Sequence, residues 1–335
     1  MAHPVRMLLV IVAVSLTISL YSWSRLRIIT KKQIQQNNQK IAKQIRRSNR
    51  PKWNDNLFDK FYDQPLIDKP TKLFFCWIPK NGCTQIKALF MRRQLHYGGT
   101  EGINEADFKR IHRAPLDGYL AERDGYVWSE PGWNRWAILR DPLERFVSGW
   151  LDKCVLRTQK GKRYPSLCLD CSPKDIRCFA RRLLPYIDIM GKTQRKVKVA
   201  NIDHFYPQYW FCEFSKHLRN YTRLYILNDP AFEHQIREDF VRIGWSRKII
   251  LSDWGAEKRD PIFKSRPYHV ASNSTKQLVL ARISEDIELL DWLFRCYFVD
   301  YVTFNLKLPP AAKHLCNTTL NSDKYHICRH LKTVL

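Results

Sequence analysis

The sequence predicts an α/β fold with a mainly parallel sheet flanked by helices. Short apolar runs alternate with amphipathic stretches through the body of the chain. Two of those runs, 72–77 and 136–139, are nearly continuous, as expected for strands covered on both faces. Each is followed by a turn signal and then by a helical pattern. With 335 residues, 44% of them hydrophobic, the chain can bury a large core, and no internal repeat divides it.

The first unit runs Lys72-Leu73-Phe74-Phe75-Cys76-Trp77 and is stopped by Pro79. Asn81-Gly82 permits a tight turn with unusual backbone angles. From Gln85 onward the pattern is helical, with Ile86, Leu89 and Phe90 on one face and Cys83 or Thr84 at the start. A loop that enters a helix in this way aims several backbone N–H groups, those of Gly82 to Gln85, at one spot, with the positive end of the helix dipole behind them. Lys80 adds a mobile charge and Thr84 a hydroxyl, a set suited to a phosphate or sulfate group. The plainer alternative is an ordinary strand–turn–helix with a surface lysine. The loop is not a Walker A motif, because Lys80 precedes Gly82 instead of following a second glycine.

The second unit begins at the run Trp136–Leu139 and continues Arg140-Asp141-Pro142-Leu143-Glu144-Arg145-Phe146-Val147-Ser148. Asp141 is a good N-cap, Pro142 suits the first helical position, and Glu144 completes a capping box. Leu143, Phe146, Val147, Trp150 and Leu151 form an apolar stripe at helical spacing, which is core. Arg140 and Ser148 are left over for a ligand, and an arginine makes forked hydrogen bonds to phosphate. Asp141 and Glu144 fit structural caps better than catalytic carboxylates.

Charge and processing signals set the surroundings. Lys and Arg outnumber Asp and Glu by 57 to 32, a net charge of +25. Residues 24–52 hold ten of the basic residues and no acid, and residues 53–335 still carry +14. The body is therefore basic in its own right and fits an anionic partner; charge alone does not choose among nucleic acid, acidic polysaccharide, nucleotide and membrane. Residues 7–23 are uncharged, the short end of what spans a bilayer, with Tyr21 and Trp23 at interfacial positions. An uncleaved anchor fits this segment better than a cleaved signal peptide, whose small-residue cleavage site is poorly supplied. The expected organisation is a short cytoplasmic tail (1–6), a transmembrane signal-anchor (7–23), a basic polar stem (24–52) and a lumenal domain (53–335). The positive-inside rule favours the opposite orientation, because the basic stem follows the apolar segment.

Ten cysteines and three Asn-x-Ser/Thr sequons, at Asn220, Asn273 and Asn317, support the lumenal placement. Cys154, Cys168, Cys171 and Cys178 are compatible with a zinc site by spacing, but no histidine stands at a matching distance, and disulfides fit a secretory chain better. The stretch 157–173 reads as a disulfide-held loop. Cys83 is either free or bonded.

The pair Pro79-Lys80-Asn81-Gly82-Cys83-Thr84 and Arg140–Ser148 resembles the two signature motifs of the Golgi carbohydrate sulfotransferases, nearest to the chondroitin, dermatan and HNK-1 branch. His204-Phe205-Tyr206-Pro207-Gln208-Tyr209-Trp210-Phe211-Cys212 is similar to that family's His-Trp-x-Pro-Gln-x-x-x-Cys segment, and Asp300-Tyr301-Val302-Thr303-Phe304 to its C-terminal Asp-Tyr/Phe-x-x-Phe element. The resemblance spans roughly residues 70–305, departs from the family near 98–132, and meets a lineage-specific insertion at Cys168–Cys178. It implies a P-loop-like sheet in a single lumenal domain, in a type II single-pass Golgi membrane protein. The implied activity is sulfuryl transfer from 3′-phosphoadenosine 5′-phosphosulfate (PAPS) to a hydroxyl of a glycan. The basic body favours a chondroitin-like acidic glycosaminoglycan as acceptor; nucleic acid is not expected as a partner, and no metal is required.

By the same resemblance Pro79, Lys80, Asn81, Gly82, Cys83, Thr84 and Gln85 hold the 5′-phosphosulfate, and Arg140 and Ser148 hold the 3′-phosphate. Lys80 is also a catalytic residue, stabilising charge on the transferring group. His112 is the first candidate base, with His96, Glu101, Glu105 and Asp107 as competitors and a surface residue in a basic run as the plain alternative. His204 and His269 either line a pocket or hydrogen-bond within the fold. Two other readings stay open on sequence alone: a lumenal kinase-like transferase, which needs a metal-binding carboxylate pair, and a non-catalytic polyanion-binding lectin.

Overall fold

The computed structural model describes residues 65–96, 126–156, 168–193, 202–251, 272–320 and 322–334. These hold a four-stranded sheet of β1 (Leu66–Asp68), β2 (Leu73–Cys76), β3 (Asn134–Leu139) and β4 (Arg223–Ile226), in that spatial order. β2, β3 and β4 run parallel, as expected; β1 is an antiparallel edge. Its reversal follows from length. Only a 3-10 turn, Lys69–Thr71, joins β1 to β2, too short for the crossover that a parallel pair needs. Lys72 belongs to this turn and not to the strand: its φ is +47° and its N–H closes onto the Lys69 carbonyl at 3.0 Å.

Helix α1 (Cys83–His96) follows β2, and α2 (Pro142–Trp150) follows β3 and runs into a wider π-type turn, Leu151–Leu156. Beyond them come α3 (Ile176–Thr193), α4 (Phe232–Arg242), α5 (Arg247–Leu251), α6 (Asn273–Ser284), α7 (Ile287–Thr303), α8 (Pro310–Thr318) and α9 (His326–Val334). The period of two along each strand divides the core between the sheet's faces. Phe74, Cys76, Ala137 and Leu139 face a cluster built with Phe146 of α2, Phe179 of α3 and Leu293 and Tyr297 of α7. Leu73, Phe75, Trp136, Ile138 and Tyr225 face a second cluster with Leu89 and Phe90 of α1, Phe240 of α4 and Trp245. Each such large side chain contributes on the order of 1.5–3 kcal/mol by leaving water. The two clusters explain why the strand runs are almost continuously apolar. The α2 stripe is buried throughout, as its spacing predicts.

Disulfides close the fold at four places. Cys154–Cys168 and Cys171–Cys178 secure the chain after α2, so these cysteines are bridges and not zinc ligands. Cys316–Cys328 joins α8 to α9. Cys76–Cys212 links the end of β2 to a segment 136 residues away, a loop long enough for a constraint of about 4–5 kcal/mol on the unfolded chain. Cys83 is free and partly buried; Cys296 is free in the core.

The apolar segment 7–23, the stem, His112 and the competing groups Glu101, Glu105 and Asp107 lie outside the described residues, as do His269 and the side chains of His96 and Asn273. Among the described residues no helix is long and apolar enough to cross a membrane.

A glycine in α2 admits a later segment of the chain. The 3-10 turn Ile202–Phe205 packs on α2 at Gly149, where a Cβ would stand 3.0 Å from Phe205 Cε1. Gly149→Ala therefore forces a ring at the core to shift, at a cost of about 1–3 kcal/mol. The expected result is a melting temperature lower by several degrees; an unchanged melting curve would contradict the packing.

Candidate functional site

The C-terminal ends of β2 and β3 lie side by side, because Cys76 pairs with Ala137. The loops that leave them therefore open at one edge of the sheet, where parallel α/β folds bind ligands. After β2 the chain turns sharply: Asn81 N–H bonds Ile78 O at 3.1 Å, and Ile86 N–H bonds Gly82 O at 3.1 Å to begin α1. Gly82 has φ +79°, as the turn requires, but the second left-handed residue is Lys80 (φ +73°), not Asn81. Holding a non-glycine there costs roughly 1 kcal/mol or more, and neighbouring bonds supply the restraint.

The principal restraint is a network centred on Gln208. This side chain is fully buried, at 0% exposure. Its Oε1 accepts from Asn81 Nδ2 at 2.6 Å and from the Arg140 N–H at 3.0 Å. Its Nε2 donates to Arg140 O at 2.8 Å. Asn81 Nδ2 also donates to Ile138 O at 2.8 Å, so the asparagine amide braces the turn from within. Gln208 is itself held by Asp300 of α7, whose carboxylate accepts the N–H groups of Gln208 at 2.8 Å and Tyr209 at 2.9 Å. Burial pushes the Asp300 carboxyl up to about 6, and these amides together with Arg145 work against that rise. Arg145 is a second brace. It is 1% exposed, and its guanidinium donates to Pro79 O at 2.9 Å and Tyr206 O at 2.5 Å.

These braces leave two partly exposed cations at the edge. Lys80 is ion-paired with Asp152, which also receives Lys153 at 3.1 Å. Burial tends to raise the Asp152 carboxyl, but the charges and hydrogen bonds of Lys80 and Lys153 prevail and hold it at about 2. Arg140 donates to Lys80 O at 3.1 Å and faces Glu144 at 3.4 Å. Asp141 caps α2 as expected, accepting the Glu144 N–H at 2.9 Å. The reciprocal half of the capping box gives way: the Glu144 carboxylate turns instead to Arg140 and Asn228. Ser148 is partly buried on α2, two turns on from Arg140. Cys83, Thr84 and Gln85 lie in the first turn of α1, all partly buried.

The structure thus joins the loop after β2 to Arg140, through Lys80 O and through Asn81 and Gln208, and gives Asn81 a bracing role. His204 carries its Nδ1 3.1 Å from the Asp203 carboxylate, and burial lowers its pKa, with the charges of Lys153 and Lys80 adding to the shift. Asn220 and Asn317 are exposed. Two residues were missed by sequence reasoning. Asp152 stands one helical step beyond Ser148, a spacing that was available as a signal. Arg145, the one basic residue among the stripe's apolar positions, was another. Cations at the ends of adjacent strands, each paired with a carboxylate of the protein, fit a ligand with anionic groups at two points.

Asp152 gives a pH test. Its depressed pKa contributes roughly 2 kcal/mol of stability above pH 4, lost as pH falls towards 2. Asp152→Asn should melt several degrees below wild type at pH 6, with the gap closing between pH 4 and pH 2. A gap independent of pH would contradict the ion pair.

A model of the Sulfotransferase family matches residues 63–307. Similar proteins from Caenorhabditis elegans include the uncharacterized protein C18B2.2, 28% identical over 182 residues, covering 53% of this chain and 48% of that one. Carbohydrate sulfotransferase chst-1 is 23% identical over 171 residues, covering 50% and 51%. The chain spans about half the length of the curated relatives it matches. No solved structure matches.

Proposed function

The chain belongs to the sulfotransferase family, and on that premise we propose that it transfers the sulfuryl group of PAPS to a hydroxyl of a glycan. One observation carries the reading: Gln208 fastens the Lys80 loop and the Arg140 loop to each other, so that a doubly anionic donor is met at both ends by one rigid edge. PAPS has that form, with a phosphosulfate at the 5′ end and a phosphate at the 3′ end, and supplies the activated sulfuryl group. Lys80 and the first-turn amides of α1 hold the 5′ end and offset charge that develops on the leaving phosphate. Arg140 and Ser148 hold the 3′-phosphate and fix the register of the nucleotide. Lys80 exchanges its Asp152 partner for the donor, which gives the lysine a defined position before and after binding. His112 is proposed as the base that receives the acceptor's proton.

The acceptor is proposed to be a chondroitin-like acidic glycosaminoglycan, on the strength of the basic body. A carbohydrate sulfotransferase among the similar proteins supports a glycan acceptor. The disulfides and the exposed sequons Asn220 and Asn317 support a Golgi lumenal site, with residues 7–23 as the proposed anchor.

The test offers radiolabelled PAPS, and separately labelled ATP, with a panel of desulfated glycosaminoglycans and glycoprotein glycans. Label should pass from PAPS to a glycan, and Lys80→Ala or Arg140→Ala should reduce transfer at least a hundredfold. Transfer from ATP alone, or wild-type transfer by both variants, would overturn the assignment.

A further inference from the structure

Beside Arg140 lies a cleft of about 270 Å³. Arg140, Glu144 and Val147 form one wall, Asn228 comes from the loop after β4, and Lys276 and Gln277 come from the first turns of α6, which packs on α2. None of the α6 residues belongs to either anion loop.

The charges in this cleft are unbalanced. Lys276 is partly buried; its backbone N–H bonds Ser272 O at 3.1 Å, but its side-chain ammonium has no hydrogen-bond or ion-pair partner among the described residues. Burial pushes its pKa down, and the nearby cations Arg140 and Lys80 add to that shift, while Glu144 opposes it. Glu144 is already shared by Arg140 and Asn228. Lys80 has its own counter-ion in Asp152. Arg140 and Lys276 therefore face one cleft across a single, already engaged carboxylate. Such a pair gains most from a ligand that brings two negative charges at one point, which is a phosphate monoester and not a sulfate monoester or a phosphodiester.

We propose that Lys276 is a donor-binding residue that, opposite Arg140, clamps the 3′-phosphate of the nucleotide and so selects nucleotides that carry it. This role rests on PAPS being the donor. Asn228 and Gln277 add uncharged donors to the same wall. Lys276 lies outside the two loops and contributes nothing to their bracing, so its effect is confined to ligands with the terminal phosphate.

The experiment compares binding of adenosine 3′,5′-bisphosphate (PAP) and 5′-AMP, which lacks only the 3′-phosphate, to the full-length chain, by calorimetry. Wild type should prefer PAP. Lys276→Met should weaken PAP at least tenfold and leave 5′-AMP within twofold, and Lys276→Arg should restore most of the preference. Unaltered PAP binding by Lys276→Met, or equal losses for both nucleotides, would overturn the role of Lys276 alone. Failure of wild type to bind PAP would overturn the donor reading as well.

Discussion

The side-chain amide of Gln208 has one acceptor oxygen and one donor nitrogen, and both engage the two loops at the sheet edge. Oε1 takes the Asn81 amide and the Arg140 N–H; Nε2 returns a bond to the Arg140 carbonyl. Placed at zero exposure, this amide has no water to fall back on. Losing one partner leaves a buried polar group unsatisfied, at about 1–3 kcal/mol. Much of the surrounding structure serves to deliver Gln208 to that place. Asp300 of α7 holds its backbone, Gly149 lets the preceding turn close on α2, and Cys212 fixes the following residues to the end of β2.

The charges follow a related logic. The buried guanidinium of Arg145 braces carbonyls, whereas Lys80 and Arg140 stay partly exposed with a carboxylate each. Asp152 and Glu144 act as internal counter-ions. They lower the cost of gathering cations at one edge. A site built this way is braced in its backbone and carries its charge in ion pairs at the edge of the sheet, which suits an anionic ligand.

What the sequence revealed was whatever depends on near neighbours. Both strand–turn–helix units, the Asp141 cap and the α2 stripe rest on spacings of three or four residues, and all appear in the structure. The capping box was half legible, because Glu144 had a choice between a backbone N–H and the Arg140 guanidinium, and only the fold presents the second. The long-range partners were not legible. Asn81 and Gln208 are 127 residues apart, and Cys76 and Cys212 are 136 apart. Resemblance marked Gln208, Cys212 and Asp300 as a pattern without saying what they do. Lys276 carried no pattern at all: an isolated lysine early in a polar helix becomes informative only once Arg140 stands across a cleft from it.

If one amide holds both anion loops in register, donor binding must depend on Gln208 although it sits beneath the binding surface. Calorimetric titration of PAP into full-length Gln208→Glu measures this directly. The change keeps the side chain's size and its acceptor oxygen, and replaces the Nε2 donor to Arg140 O. A folded variant should bind PAP at least tenfold more weakly than wild type with Lys80 and Arg140 intact. Wild-type affinity in a folded variant would contradict a shared anchor and leave the two loops independent.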